Sequence, residues 1–204
     1  MKKSLLITVG LFATLQLHGQ STVDQGSVSF SNIGLSAPVL NSLTFDMAGT
    51  PLNAVAGTTF SVGLYFAPYD FSNPVPPDPS TMTQAGASAN LVAPGLYNAG
   101  LRTFNITTAD YFLWFQVKAW ETAFGSTYER AEAEGPMNGR TALLGVSNIT
   151  RVYTGVVPSG TPNTLHGISA ILLTVVPEPS VVAFGALSAC VLLVFRSRKP
   201  VAAQ

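Results

Sequence analysis

The stretch from Tyr111 to Glu121 reads Tyr-Phe-Leu-Trp-Phe-Gln-Val-Lys-Ala-Trp-Glu, and it decides the fold class. Successive side chains of a β-strand point to opposite faces of the sheet, so the two alternating sets in this stretch belong to different faces. One set is entirely apolar and is predicted to point into the core: Leu113, Phe115, Val117 and Ala119. The other set mixes aromatic and polar residues: Phe112, Trp114, Gln116, Lys118 and Trp120. The stretch therefore predicts a central strand of a β-rich domain.

A second alternating strand is predicted at residues 58–66, where Phe60, Val62 and Leu64 share one face. Other segments rich in β-branched and aromatic residues lie between turn-forming ones. They predict strands at residues 26–31, 43–46, 100–107, 142–146, 149–156 and 168–176.

Helical periodicity is almost absent, and only a short turn near residues 128–134 is predicted to be helical. Turn-forming connections, such as the proline-rich residues 73–79, separate the strands. About seven or eight short strands of this kind predict an all-β fold. We expect a single antiparallel β-sandwich of immunoglobulin-like or jelly-roll type.

The charges of the 204-residue chain cancel formally but are unevenly distributed. Residues 20–175 carry nine carboxylates against five cations, a net charge of −4. A mildly acidic domain is a poor partner for nucleic acid. The chain's one cysteine, Cys190, lies outside this body, so neither a disulfide framework nor a thiolate metal site is predicted there.

Candidates for catalytic chemistry are few. His166 is the only histidine of residues 20–175, and a Ser-His-Asp arrangement would need it. A single histidine in a loop is more often a solvated surface group than a catalyst. We therefore expect no catalytic residue, no cofactor and no enzyme activity.

Acidic residues cluster at Glu129, Glu132 and Glu134, with Glu121 nearby in the sequence. Oxygen-rich loops on β-sandwiches hold calcium in some proteins, but the Asp-x-Asp spacing of a calcium loop is missing here. A solvated hairpin tip is the favoured interpretation, and no metal site is predicted. A pair of glycosidase carboxylates among these acids is a weaker alternative.

Trp114 and Trp120 are the best candidates for ligand binding in the body. Both lie on the mixed face of residues 111–121, where they could form, together with Phe112 and Tyr65, a flat platform for stacking a sugar ring. The alternative is that both faces of the strand are covered and the two indoles belong to the core. The alternation of residues does not decide between these interpretations.

The C-terminal segment has a characteristic order of features. Pro177-Glu178-Pro179 precedes an uncharged, mostly apolar run at residues 181–195, which is followed by the cations Arg196, Arg198 and Lys199. A helix over this run is roughly 22 Å long, shorter than the ~30 Å hydrocarbon core, but flanking side chains can extend it. It predicts one transmembrane helix at about residues 180–196, with its cations on the cytoplasmic side.

The N-terminal segment agrees with this topology. Lys2 and Lys3 precede a mostly apolar stretch that ends near Leu17. This is the pattern of a secretory signal peptide, predicted at residues 1–19. Export through such a signal places residues 20–175 outside the cytoplasmic membrane.

A signal peptide paired with a C-terminal Pro-Glu-Pro, one apolar helix and a basic end resembles the PEP-CTERM protein-sorting family. The resemblance covers residues 176–200, with four more residues, 201–204, trailing behind the cations. It implies that an exosortase recognises and processes this segment, and that the precursor is membrane-anchored before the product reaches the cell surface or the extracellular space. It also implies an association with exopolysaccharide or biofilm.

Three functional classes follow from these observations. The favoured one is a noncatalytic cell-surface or extracellular-matrix protein whose tail directs its sorting. The second is a carbohydrate-binding module that uses surface aromatics. A secreted hydrolase comes last. A structure distinguishes them by the exposure of the two tryptophans and the convergence of carboxylates.

Overall fold

The structure, a computed structural model, describes residues 25–105, 112–134, 136–137, 139–157 and 161–175. The signal peptide predicted at residues 1–19 lies outside these residues. So do the sorting motif Pro177-Glu178-Pro179, the helix predicted at about residues 180–196 and the basic cluster of Arg196, Arg198 and Lys199.

The described part of the chain is all-β, as the sequence predicts. Its strands are β1 (Gln25–Ser31), β2 (Val39–Phe45), β3 (Pro51–Asn53), β4 (Gly57–Pro68), β5 (Thr83–Gln84), β6 (Ala89–Ala93), β7 (Leu96–Asn105), β8 (Phe112–Glu121), β9 (Leu143–Val146), β10 (Thr150–Tyr153), β11 (Gly155–Val157), β12 (Asn163–Thr164) and β13 (Ile171–Val175). The helical elements described are α1 (Tyr128–Ala133) and the 3₁₀ turns Pro79–Thr81 and Thr122–Phe124.

Hydrogen bonds join the described strands into one sheet. Its main path runs β11-β1-β7-β6-β4-β8-β9-β13-β2-β3, while β10, β12 and β5 pair at the sides with β8, β1 and β4. The pairing of β4 with β8 is the longest, from Phe60 opposite Glu121 to Pro68 opposite Leu113. This pair lies at the centre of the path and carries the alternating residues from which the fold class was predicted.

The sheet is mixed, which corrects the prediction of a purely antiparallel arrangement. β13 runs parallel to β2 and β1 runs parallel to β12, whereas the other described pairs are antiparallel. The β2–β13 pair joins strands far apart in the sequence, so no tight hairpin fixes their relative direction. The alternation within a strand determines its faces but not the direction of a distant neighbour.

The sheet curls until its middle meets its far end. At the β6–β7 turn, Gly95 accepts a hydrogen bond from the backbone N–H of Val39 (2.9 Å) and donates one to the carbonyl of Ala54 (2.8 Å). Inside the curl, the ring centroids of Phe104 on β7 and Phe115 on β8 lie 5.4 Å apart, although β6 and β4 separate the two strands in the sheet. The enclosed side chains form one large apolar core.

The predicted inner face of β8 is confirmed. Leu113, Phe115, Val117 and Ala119 are all buried in this core. Phe60, Val62 and Leu64 of β4 face the same core, also as predicted.

Several strand bounds differ from the predicted ones. β2 begins at Val39 rather than at residue 43, and the predicted strand 149–156 is divided between β10 and β11 at Thr154. The short strands β3, β5, β6 and β12 were not predicted. Three of them contain only two or three residues, too few for alternation to be recognised, and β6 has five residues without a clear apolar–polar alternation. The short helix predicted near residues 128–134 is confirmed as α1.

Candidate functional site

The two tryptophans predicted as a sugar platform lie in different environments. Trp120 is fully buried beneath the Thr122–Phe124 turn and α1, where it packs against Phe124 and Ala131. Its indole Nε1–H donates a 3.0 Å hydrogen bond to the carbonyl of Gly125. Trp120 therefore belongs to a second core and is not available to a ligand. Trp114, nearer the start of β8, is only half-buried.

Trp114 is part of a group of aromatic side chains on the outer face of the sheet. We call this group, together with the one arginine that lies among its rings, the aromatic patch. Its members are Tyr69, Phe71, Phe112, Trp114, Tyr153 and Arg151. They lie on β8, on β10, which pairs with β8, and in the segment that follows β4.

The rings of the patch contact one another in tilted and edge-to-face arrangements. The centroid of Tyr69 lies 5.5 Å from that of Trp114 and 4.8 Å from that of Phe71. The centroid of Phe112 lies 5.2 Å from that of Tyr153. These separations are typical of favourable aromatic pairs. The rings therefore support one another as a preformed surface.

Part of this surface is open to solvent. Phe71 is 59% exposed and Tyr153 is 43% exposed, whereas Tyr69 is buried beneath its neighbours. Single exposed apolar residues are common on soluble proteins, but a contiguous aromatic group with this exposure often marks a binding surface.

Arg151 is the cation of the patch. Its guanidinium carbon lies 5.0 Å from the ring centroids of both Tyr69 and Phe112. Its Nη1 donates a 2.8 Å hydrogen bond to the hydroxyl of Tyr69. Within the described ranges, neither of the two ion pairs involves Arg151. The rings and the Tyr69 hydroxyl thus hold an exposed guanidinium whose charge no described carboxylate neutralises.

Strand register explains how the sequence builds this patch. Arg151 lies directly opposite Trp114, and Tyr153 lies directly opposite Phe112. Between these pairs, Val152 lies opposite Leu113 and both face the core. A strand that buries every second residue necessarily presents the intervening ones on its other face.

A tight turn after β4 brings Phe71 onto Tyr69. The Asp70 carboxylate accepts hydrogen bonds from the backbone N–H of Ser72 (2.8 Å) and from its hydroxyl (2.6 Å). These bonds keep the pKa of Asp70 below its ordinary value. The carboxylate is therefore occupied within its own turn.

Sequence reasoning did not identify Tyr69, Phe71, Arg151 and Tyr153 as members of the site. Arg151 and Tyr153 alternate within the predicted strand 149–156, which was a signal that they share a face. Nothing in that alternation indicated that their strand pairs with β8.

A second polar cluster lies beside α1 on the same outer side of β8. The Nζ of Lys118 is 3.2 Å from Oε1 of Glu129 and 4.1 Å from the ring centroid of Tyr65. The hydroxyl of Tyr65 donates a 2.9 Å hydrogen bond to Oε2 of Glu129. Burial raises the pKa of Tyr65, and its hydrogen bond to Glu129 adds to the effect. Tyr65 therefore stays a neutral donor, and the cluster satisfies its own charges.

The carboxylate of Glu121 is also occupied. Glu121 is buried and accepts hydrogen bonds of 2.6 and 2.9 Å from the guanidinium of Arg140. This pairing raises the pKa of Arg140. Two of the four acidic residues near α1 are thus paired, Glu121 with Arg140 and Glu129 with Lys118. The other two, Glu132 and Glu134, are exposed on the surface.

The remaining candidates from the sequence do not converge with these clusters. In the described part of the chain, no group of three or more His, Cys, Asp or Glu side chains is arranged to hold a metal ion. His166 is exposed and hydrogen-bonds with Thr164.

Comparison with known proteins identifies no relative: no family model matches the chain, and no curated protein or solved structure matches it significantly. Across the described residues, no helix combines the length and apolar character needed to cross a membrane.

Proposed function

We propose that this chain is an exported cell-surface or extracellular-matrix protein, sorted and processed through a C-terminal PEP-CTERM segment, with a noncatalytic β-rich body. The observation that carries the proposal is the order of features at residues 176–200, paired with the signal-peptide pattern at residues 1–19. An exosortase is the processing partner of this proposal.

The Pro-Glu-Pro motif is chemically suited to recognition by a protease. Two prolines around one residue favour an extended backbone and remove two amide donors. An extended segment enters a protease cleft without first unfolding. Glu178 would present a negative charge at the outer face of the membrane.

The body supports a binding or structural role better than a catalytic one. Glu121 and Glu129 are held in ion pairs by Arg140 and Lys118, and a carboxylate held in this way is not free to exchange a proton with a substrate. The remaining acids of the cluster, Glu132 and Glu134, are exposed on the surface, whereas catalytic sites are concave. We also propose that the two halves of the curled sheet pack face to face, as in the β-sandwich that the sequence predicts, since Phe104 meets Phe115 across the core.

Replacement of Pro177, Glu178 and Pro179 with alanine tests the sorting proposal in the native host. We expect an unprocessed, membrane-retained precursor on an immunoblot of membrane and medium fractions. The matched control replaces Pro74 and Pro76, which have the same Pro-x-Pro spacing in an exposed part of the body. Unchanged maturation of the first variant would overturn the proposal.

Glycan binding is the second candidate function of the body, and the aromatic patch favours it. Trp114 is half-buried among other rings, and Phe71 and Tyr153 expose a large part of their surface beside it. Aromatic faces of this kind stack on the apolar faces of sugar rings. This candidate is compatible with the first, because an exopolysaccharide is a natural neighbour of an exported surface protein.

A further inference from the structure

We propose that the aromatic patch binds an acidic polysaccharide, with a sugar ring stacked on its aromatic side chains and a sugar carboxylate bound by Arg151. The inference deepens the second candidate function above and rests on it. It specifies the ligand class as a polymer that contains uronic acid.

The aromatic side chains supply the stacking surface. Phe71 projects from the turn after β4, and Tyr153 lies at the end of β10, so the two exposed rings flank the half-buried Phe112. A sugar ring that covers this surface buries the apolar C–H groups of its face against the rings. Such stacking accepts many sugars and does not by itself select a charge.

Arg151 supplies the selectivity for charge. Its Nη1 is occupied by the Tyr69 hydroxyl, but a guanidinium carries five N–H donors, so most of its donors remain for a ligand. The planar fork matches the two oxygens of a carboxylate, and hydrogen bonds between ionised partners are stronger than neutral ones. The rings of Tyr69 and Phe112, each 5.0 Å from the guanidinium carbon, hold it in place beside the stacking surface.

The arrangement also orients the guanidinium in advance. Arg151 is fixed by two ring contacts of 5.0 Å and one hydrogen bond, so binding would cost it little side-chain entropy. The body as a whole has a net charge of −4 from its nine carboxylates and five cations. A non-specific attraction for polyanions is therefore not expected, and binding should depend on this one cation.

Equilibrium binding by calorimetry tests the inference with the full chain purified in detergent. The probes are alginate oligosaccharides and the same oligosaccharides after their carboxylates are reduced to hydroxymethyl groups. We expect the acidic form to bind about ten-fold more tightly than the neutral form, the effect of one charged hydrogen-bonded contact. In the Arg151→Gln variant the two affinities should become equal.

Two further variants separate the possible outcomes. Phe71→Ala should weaken the binding of both probes, because it removes an exposed stacking ring but no charge. Arg130→Gln is the matched control, since Arg130 is an exposed cation on α1 that is not a member of the patch. It should bind both probes as the unmodified chain does.

Three results would overturn the inference. In the first, the unmodified chain binds both probes equally and Phe71→Ala weakens the binding of both. This result would refute the selectivity for acidic sugars but would leave the glycan-binding function standing. No binding of either probe would refute both. An equal loss of alginate binding in Arg151→Gln and Arg130→Gln would show that a diffuse charge effect, and not the patch, attracts the polymer.

Discussion

The indole ring of Trp120 occupies the space that a side chain at Gly63 would need. A methyl group on Gly63 would lie 3.2 Å from Cζ3 of Trp120 and 3.1 Å from Cε2 of Tyr65. Glycine at this position of β4 therefore allows the largest fully buried side chain to pack closely against the outer side of the sheet. Gly63 lies beneath the indole and the segment with Phe124 and Ala131 covers it, so Trp120 is enclosed on both sides.

Gly63→Ala should destabilise the protein because it overpacks this contact. We expect a loss of about 1–3 kcal/mol in the free energy of unfolding, measured by urea denaturation. Adding Trp120→Phe to Gly63→Ala should cost less than the sum of the two single changes, because a smaller ring leaves room for the new methyl group. Strict additivity would contradict the proposed contact.

Asn32 is a buried polar residue that links the end of β1 to the β6–β7 turn and to the segment before β2. It is fully buried, its Nδ2 donates 2.9 Å hydrogen bonds to the carbonyls of Ala37 and Gly95, and its Oδ1 accepts one of 2.8 Å from the N–H of Tyr97. Asn32→Ala would leave the carbonyl of Ala37 and the N–H of Tyr97 without this partner in the core, while the carbonyl of Gly95 would keep its hydrogen bond from Val39. We expect it to lower the free energy of unfolding by about 3–4 kcal/mol.

The matched control for this prediction is Asn98→Ala. Asn98 is exposed, and its Oδ1 accepts a single 3.2 Å hydrogen bond from the N–H of Gly100. Its loss should change stability by about 0.5 kcal/mol, because water can replace the bond. Comparable losses in the two variants would contradict the role given to Asn32.

The hydroxyl of Tyr97 is buried and, among the described residues, has no hydrogen-bond partner. Burial also raises the pKa of Tyr97. Tyr97→Phe should leave the thermal midpoint unchanged or raise it, because it removes an unsatisfied polar group from the core.

Tyr65→Phe is the matched comparison, because it removes a hydroxyl that donates to Glu129. It should lower stability by about 0.5–1.5 kcal/mol. A larger loss for Tyr97→Phe than for Tyr65→Phe would show that the Tyr97 hydroxyl has a partner.

Stability should fall in acid as Glu129 becomes protonated. Burial acts to raise the pKa of Glu129, but hydrogen bonds from its own backbone N–H, from Tyr65 and from Lys118 outweigh it, and the pKa lies below its ordinary value of 4.5. A carboxyl group whose pKa is lowered by folding contributes stability above its ordinary pKa, and this contribution disappears as the pH falls through the folded-state value.

Thermal unfolding of the Glu129→Gln variant between roughly pH 5 and pH 3 measures this contribution. We expect a lower midpoint than that of the unmodified chain at pH 6, with the difference shrinking in acid. Glu134→Gln serves as the control, since Glu134 is exposed at the end of α1. If the difference in thermal midpoint between Glu129→Gln and the unmodified chain stayed constant across this pH range, the stability would not depend on the ionisation of Glu129.

The faces of β8 were predictable from sequence because alternation is a local property. Leu113, Phe115 and Val117 face the core as the period of two requires. The different burial of Trp114 and Trp120 was not predictable, although both belong to the same face. The segment with Phe124 and Ala131 covers only the later part of β8, and that covering is a tertiary contact with no local signature.

The aromatic patch could not be predicted from the sequence for a related reason. It depends on the register that sets Arg151 opposite Trp114, and on the turn at Asp70 that returns Phe71 to Tyr69. Register between strands distant in the sequence is decided by the whole core and not by either strand. The signal peptide and sorting segment lie outside the described residues, so they remain predictions.

The most direct test of the proposed function is the intact mass of the protein isolated from its native host. The account predicts a mature species lighter than the 21.4 kDa chain, shortened near residues 19–20 and cut near Pro177-Glu178-Pro179. A mature protein that keeps Met1 and extends to Gln204 at the full 21.4 kDa would contradict export and processing together.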